Sequence, residues 1–233
     1  YTVKYDFNVN AGLGVVTVTG KTGTNYEGMT GSATFTIEPK NIASLTVNGI
    51  KNANYTGSPI RQTITIQDGG KTLVEGTDYY VEYSSNINVG TATVTIYGIN
   101  NYKGTNAQNF TISTVDIGGG DGDTTTPGSG FGVAVYPPTG VYTGVTHNPA
   151  VVVTYNGVAL DANSDYTLMY KTLEGVDVGA GGMIDVGTYV ITVTGQGNYT
   201  GTVDARYTIT PVSDSSTGAG STLAIAPIDS KTY

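Results

Sequence analysis

Tyr79-Tyr80-Val81-Glu82-Tyr83 and Tyr166-Thr167-Leu168-Met169-Tyr170 are two copies of one pattern, and the chain opens on a third, Tyr1-Thr2-Val3-Lys4-Tyr5. The first, third and fifth positions read Tyr-Val-Tyr, Tyr-Leu-Tyr and Tyr-Val-Tyr, while the second and fourth change freely. Successive side chains of a strand point to opposite faces, so the constant set shares one face and the variable set the other. The constant face is read as core and the variable face as solvent. With no Trp and 4 Phe against 18 Tyr, tyrosine must supply most of the large apolar surface. Each ring can bury ~150–250 Å² while its hydroxyl seeks water or a backbone partner at the rim.

Outward from these strands the repetition continues. Upstream, Tyr55-Thr56-Gly57 and Tyr142-Thr143-Gly144 each stand 24 residues before Tyr79 and Tyr166. Downstream come glycine pairs 8 residues apart, Gly12 and Gly20, Gly90 and Gly98, Gly187 and Gly195, each bracketing a Thr/Val strand. The turns Asn25-Tyr26-Glu27-Gly28, Asn101-Tyr102-Lys103-Gly104 and Asn198-Tyr199-Thr200-Gly201 follow. Closing strands end each copy at Phe35-Thr36-Ile37, Phe110-Thr111-Ile112 and Tyr207-Thr208-Ile209. Thr63-Ile64-Thr65-Ile66 and Tyr189-Val190-Ile191-Thr192-Val193 alternate at the same period, as half-buried strands do. Asp68-Gly69-Gly70 and Asn156-Gly157 supply turn chemistry. No stretch carries a helical apolar stripe, so the chain reads as all-β.

The copies divide the chain. Residues 1–42 are the C-terminal half of a truncated repeat, and 43–112 and 131–210 are full repeats. Residues 113–130 and 211–222 are rich in Gly, Thr and Ser and read as flexible linkers. Residues 223–233 start a further repeat, Tyr233 falling where Tyr55 and Tyr142 sit. The third copy carries a Gly/Asp-rich insertion near Leu173–Gly182, at a loop position. A tandem array is the economical reading. The opening at Tyr1, without Met or a signal sequence, suggests a piece of a longer chain.

Composition narrows the function. Of 233 residues 34 are Gly and 39 Thr, and only 12% are charged, against roughly 25% on average. A net charge of −8 argues against nucleic acid or an anionic membrane as partner. No apolar run approaches the ~20 residues of a membrane span. The absence of Cys excludes disulfides, thiol catalysis and thiolate metal sites.

The order Tyr-Thr-Gly, Asp-Tyr, Tyr-x-Val-x-Tyr, Gly-Asn-Tyr-x-Gly and Phe-Thr-Ile resembles the immunoglobulin-like repeats of bacterial surface proteins, the MBG and YDG groups in particular. Gly197-Asn198-Tyr199-Thr200-Gly201 fits that pattern in full, while Asn100-Asn101-Tyr102-Lys103-Gly104 departs at its first glycine. The resemblance implies tandem immunoglobulin-like β-sandwich domains joined by Gly/Thr-rich linkers. It also implies an extracellular place on a bacterial cell surface or wall, and it brings no catalytic residues.

Candidate sites are few. Gly119-Gly120-Asp121-Gly122-Asp123 makes Asp121 and Asp123 calcium candidates, since Gly/Asp repeats ligate Ca²⁺ in secreted β-solenoids; the motif occurs once and out of frame, so linker is the preferred reading. Asp78 and Asp165 recur at one position, where turn capping explains them. His147 is the only histidine and reads as an exposed loop residue, its counterpart lying near Ser58. A Lys–Asn or Lys–Asp cross-link needs a lysine at a fixed core position, yet Lys4 is replaced by Glu82 and Met169. Tyr80 could stack on a sugar ring. No copy gathers an acid, a base and a nucleophile, so neither catalysis nor a cofactor is expected.

Three functions stay open. The first is a structural or adhesive stalk, its partners being neighbouring repeats. The second is a filament subunit assembling by β-strand exchange, since open β edges recruit strands. The third is a module binding host glycan or protein through loops such as Leu173–Gly182.

Overall fold

The structure, a computed structural model, is described for residues 1–119 and 125–213, and it forms two compact units that divide after Val115. The calcium candidates Asp121 and Asp123, most of the linker 211–222 and the strand 223–233 lie outside the described residues. Among those residues all regular structure is strand, apart from one 3₁₀ turn.

The first unit opens with β1 (Thr2–Asp6), β2 (Gly12–Thr19) and β3 (Thr30–Ile37), an antiparallel sheet in chain order. Then come β4 (Lys40–Asn41), the 3₁₀ turn Ile42–Ser44, β5 (Thr46–Asn48), β6 (Ala53–Asn54), β7 (Thr65–Asp68) and β8 (Lys71–Thr72). The tyrosine strand is β9 (Tyr79–Ser84), the glycine-bracketed strand β10 (Gly90–Gly98), the turn strand β11 (Tyr102–Lys103) and the closing strand β12 (Thr105–Ser113). One sheet has the order β5-β7-β8 and another β6-β12-β10-β9. Their apolar sides share a core in which Ile42, Ile66 and Leu73 meet Tyr79, Ile96 and Tyr102. Ala92, Phe110 and Ile112 form a second cluster, packed by Ile60 and Tyr83. The Tyr83 hydroxyl has a backbone partner, accepting from the Gln62 N–H at 2.9 Å.

The second unit repeats this plan. The short β13 (Val115–Asp116) spans the division, and the second unit goes on with β14 (Phe131–Tyr136), β15 (Thr139–Val141), β16 (Ala150–Tyr155) and β17 (Val158–Ala159). After these come β18 (Tyr166–Thr172), β19 (Gly187–Gly195), β20 (Tyr199–Thr200) and β21 (Thr202–Thr210). The sheets are β14-β16-β17 and β15-β21-β19-β18. The registers coincide: Val81 faces Ile96 in the first unit as Leu168 faces Val193 in the second. Tyr79 and Tyr166 are each 4% exposed.

Each full copy also begins with a strap that sequence reading places elsewhere. β4 runs parallel to the turn strand β11, and Ile42, which follows it, is fully buried. In the same way β13 pairs with β20, and Ile117 is fully buried. Asn41 caps the N–H of Ala43 and Asp116 that of Gly118. Two readings are thereby corrected. Ile42 belongs to the core of the copy that follows rather than to residues 1–42. The start of 113–130 is folded rather than a flexible linker, because a buried Ile and a backbone bond from Ile117 N to Thr200 O hold it down.

Candidate functional site

A cluster of polar side chains lies beside the strap of the first unit. The β7–β8 hairpin puts Asp68 opposite Lys71. Asp78, just before β9, is 2% exposed. Its carboxylate accepts from Lys71 Nζ (2.8 Å) and from the Val74 N–H (3.0 Å). Asp68 pairs with Lys40 of the strap and accepts from the Tyr102 hydroxyl at 3.0 Å, while Lys71 also stands over the Tyr102 ring at 5.3 Å. Burial pushes the Asp78 carboxyl up, but the bonds from Lys71 and Val74 outweigh it and hold the group below its ordinary value. The hydrogen bond to Asp78 raises Lys71 in turn. A protonated lysine facing an ionised carboxylate is an ion pair, the wrong protonation state at both ends for amide formation.

The cap on Val74 recurs, as Asp165 accepts from the Asp161 N–H at 3.0 Å. The charges do not. Tyr155 and Val158 hold the hairpin places of Asp68 and Lys71. Here Phe131 stacks on Tyr155 at 4.6 Å, and Tyr199 stands edge-on to both rings at 5.6 and 5.7 Å. An aromatic cluster thus fills the place that an ion network fills in the first unit.

Replacing Asp78 by Ala strips the acceptor from Val74 and Lys71 together. We expect a loss of about 2 kcal/mol from the first unit, read as a lower urea midpoint. Because the folded carboxyl titrates below its unfolded value of about 3.9, its contribution is complete above that pH. It drains away as pH falls through the lower folded value. Acid titration of stability in D78A should lack that limb; an unchanged acid limb would show that Asp78 does not carry it.

His147 is not the exposed loop residue its sequence neighbourhood suggests. It is half-buried, its Nδ1 lies 2.7 Å from the Tyr207 hydroxyl, and its N–H donates to Met183 O. Gly140 leaves the room, since a β-carbon there would meet the Tyr207 hydroxyl and His147 Nδ1. The counterparts in the first unit are Ile60, whose N–H likewise donates to a loop carbonyl (Asn86), and Phe110. The position near Ser58 is thus Ile60, and a hydrogen-bonded pair stands where the first unit has an apolar one.

Side chains also lock the first copy to the second. The Asn101 carboxamide accepts from Ala11 N (2.6 Å) and donates to Asn10 (2.9 Å). Lys103 pairs with Glu38 at 2.9 Å. On the outer face Tyr80 stacks on Tyr97 at 4.8 Å, where the third copy has Thr167 and Thr194. The insertion Leu173–Gly182 leaves Leu173 and Val176 exposed but sends Val178 onto the core beside Met183. Among the described residues no group of three or more His, Asp or Glu could hold a metal ion. No helix among them is long and apolar enough to cross a membrane.

No known family profile matches the chain, and no curated protein is similar to it. Among solved structures it is similar to domains 7, 8 and 9 of the S-layer protein SbsC, at 12% identity and a TM-score of 0.21, over 89% of this chain and 72% of that one.

Proposed function

We propose that this chain is a non-catalytic structural segment of an extracellular bacterial surface protein. It is built from immunoglobulin-like sandwiches in tandem, of the MBG/YDG kind. The observation that carries the reading is the exchange of whole interactions at equivalent places. An ion network is traded for an aromatic cluster, and Ile60–Phe110 for His147–Tyr207, while register, caps and straps stay the same. Reaction chemistry does not survive such replacement, whereas packing does. The bond set joining Asn10 and Ala11 to Asn101 supports a spacer role, because it fixes one copy on the next. The sequence resemblance supplies the compartment.

Antibody raised against the chain should label intact cells of the source bacterium, and brief protease treatment of those cells should release the epitope. Labelling that appears only after permeabilisation would overturn the reading.

A further inference from the structure

The tyrosine strands β9 and β18 are edge strands of their sheets, and the two units treat that edge differently. In both, the loop before the strand covers its start: the Gly76 N–H donates to Tyr79 O (2.7 Å), and the Asn163 N–H to Tyr166 O (2.8 Å). Alternate residues of an antiparallel pair turn their N–H and C=O groups away from the neighbouring strand. Val81 and Tyr83 share that outward side with Tyr79, as Leu168 and Tyr170 share it with Tyr166. Beyond Tyr79 no strand lies against β9 among the described residues. Against β18 the insertion Leu173–Gly182 does. The Val178 N–H donates to Tyr170 O (2.9 Å) and the Thr172 N–H to Val176 O (2.8 Å), and the bridge between them sets Lys171 opposite Asp177.

The inserted segment is anchored at that edge. Gly175, at φ +89°, closes its turn by donating to Thr172 O at 3.0 Å. Val178 packs on the core beside the fully buried Met183. Asp177 accepts from the Gly179 N–H at 2.9 Å, and Gly179, at φ +61°, turns the chain off the edge. The Thr146 hydroxyl then holds Gly181 O at 2.9 Å. Leu168 is left between bonded neighbours, too short a run for another strand to join.

The fourth position of the strand gives the reason for the difference. It is Lys4 in β1, Glu82 in β9 and Met169 in β18, exposed in each. When two such edges meet antiparallel about this residue, it stands opposite itself, so a charge repels and a methionine packs. For β18 that register sets Leu168 opposite Tyr170, and Lys171 opposite Thr167, of a second molecule. No like charges meet, and about four main-chain hydrogen bonds form. A charge on an edge strand is one device against such pairing, and covering the edge is another. We infer that Leu173–Gly182 is an intramolecular edge strand that keeps β18 from pairing with β18 of a second molecule of this protein, as the charge of Glu82 keeps β9 from pairing with β9. The inference rests on register and bonds within each unit, and it is independent of the surface role.

The test deletes Leu173–Gly182 from the full chain, joining Thr172 to Met183 at the loop length of the first unit. Thr172→Gly accompanies the deletion, because the equivalent Ser85 has φ +53°. Sedimentation should show a concentration-dependent dimer that the parent does not form, with slowed amide exchange at Leu168 and Tyr170. Adding Met169→Glu should weaken that dimer about 10-fold. Val178→Pro keeps the loop but removes the N–H that Tyr170 O accepts, and it should open the same edge to a lesser degree. In the first unit Glu82→Met alone should yield a dimer through β9. Folded, monomeric protein from both insertion variants overturns the inference, as does a dimer that Met169→Glu leaves unchanged. A Glu82→Met chain that stays monomeric overturns the part assigned to that charge. In the parent the Thr172 and Val178 amides should exchange slowly; free-loop rates there overturn the inference without any variant.

Discussion

Gly201→Ala is expected to cost the second unit roughly 3–4 kcal/mol, while Gly28→Ala costs roughly 1–2 kcal/mol. The three turn glycines have nearly the same backbone, with φ of +76° at Gly28 and +78° at Gly104 and Gly201. A side chain therefore meets the same left-handed strain at each. What differs is the strap. Nothing approaches Gly28, Asn41 Oδ1 lies 2.5 Å from the β-carbon site of Gly104, and Asp116 Oδ1 lies closer still to that of Gly201. Losses should rise in the order Gly28, Gly104, Gly201. Trimming the strap by Asp116→Ala in the Gly201→Ala background should return most of the difference. Amide exchange resolved by strand measures each loss locally; equal losses at all three sites would remove the strap from the account.

The second large effect is expected at the His147–Tyr207 pair. Tyr207 is 2% exposed, so His147→Ala leaves its hydroxyl buried without the partner 2.7 Å away. An unsatisfied buried group costs about 1–3 kcal/mol, and the lost imidazole packing adds to it. Tyr207→Phe should cost less, since half-buried His147 can turn to water. The double variant His147→Ile, Tyr207→Phe installs the pair that the first unit already uses, Ile60 and Phe110. It should recover to near the parent, so that a cycle closed by the single variants His147→Ile and Tyr207→Phe gives a coupling energy above ~1 kcal/mol by urea unfolding. Additive losses would mean that the two residues do not act as a pair.

The carboxyl-terminal half of each copy was legible because its signals are long and local. The Tyr-x-Val-x-Tyr strand, the paired glycines and the Phe-Thr-Ile strand are periodic runs, and they appear as β9, β10 and β12 with the predicted faces. The recurring Asp78 and Asp165 were readable as turn caps for the same reason. The straps were not. A two-residue parallel strand has no alternation to detect, and Lys40-Asn41 and Val115-Asp116 share no residue type. What could have found them is the fixed spacing from Phe35-Thr36-Ile37 to Ile42 and from Phe110-Thr111-Ile112 to Ile117. The partner of His147 was hidden by a separation of 60 residues. The Lys71–Asp78 pair was hidden because its lysine occurs in one copy alone.

In each full repeat the first strand of the four-stranded sheet lies parallel to the last. Ala53 stands beside Ile112 in one, and Thr139 to Val141 beside Thr208 to Thr210 in the other. Beyond the strap and the first strand of the smaller sheet, the polypeptide therefore enters and leaves this four-stranded sheet through neighbouring strands that point the same way. Pulling on the two ends slides these strands past each other, so their hydrogen bonds share the force at once instead of parting singly as in a peeled hairpin. With two paired residues against three, the repeat holding Ala53 should yield to tension before the one holding Thr139.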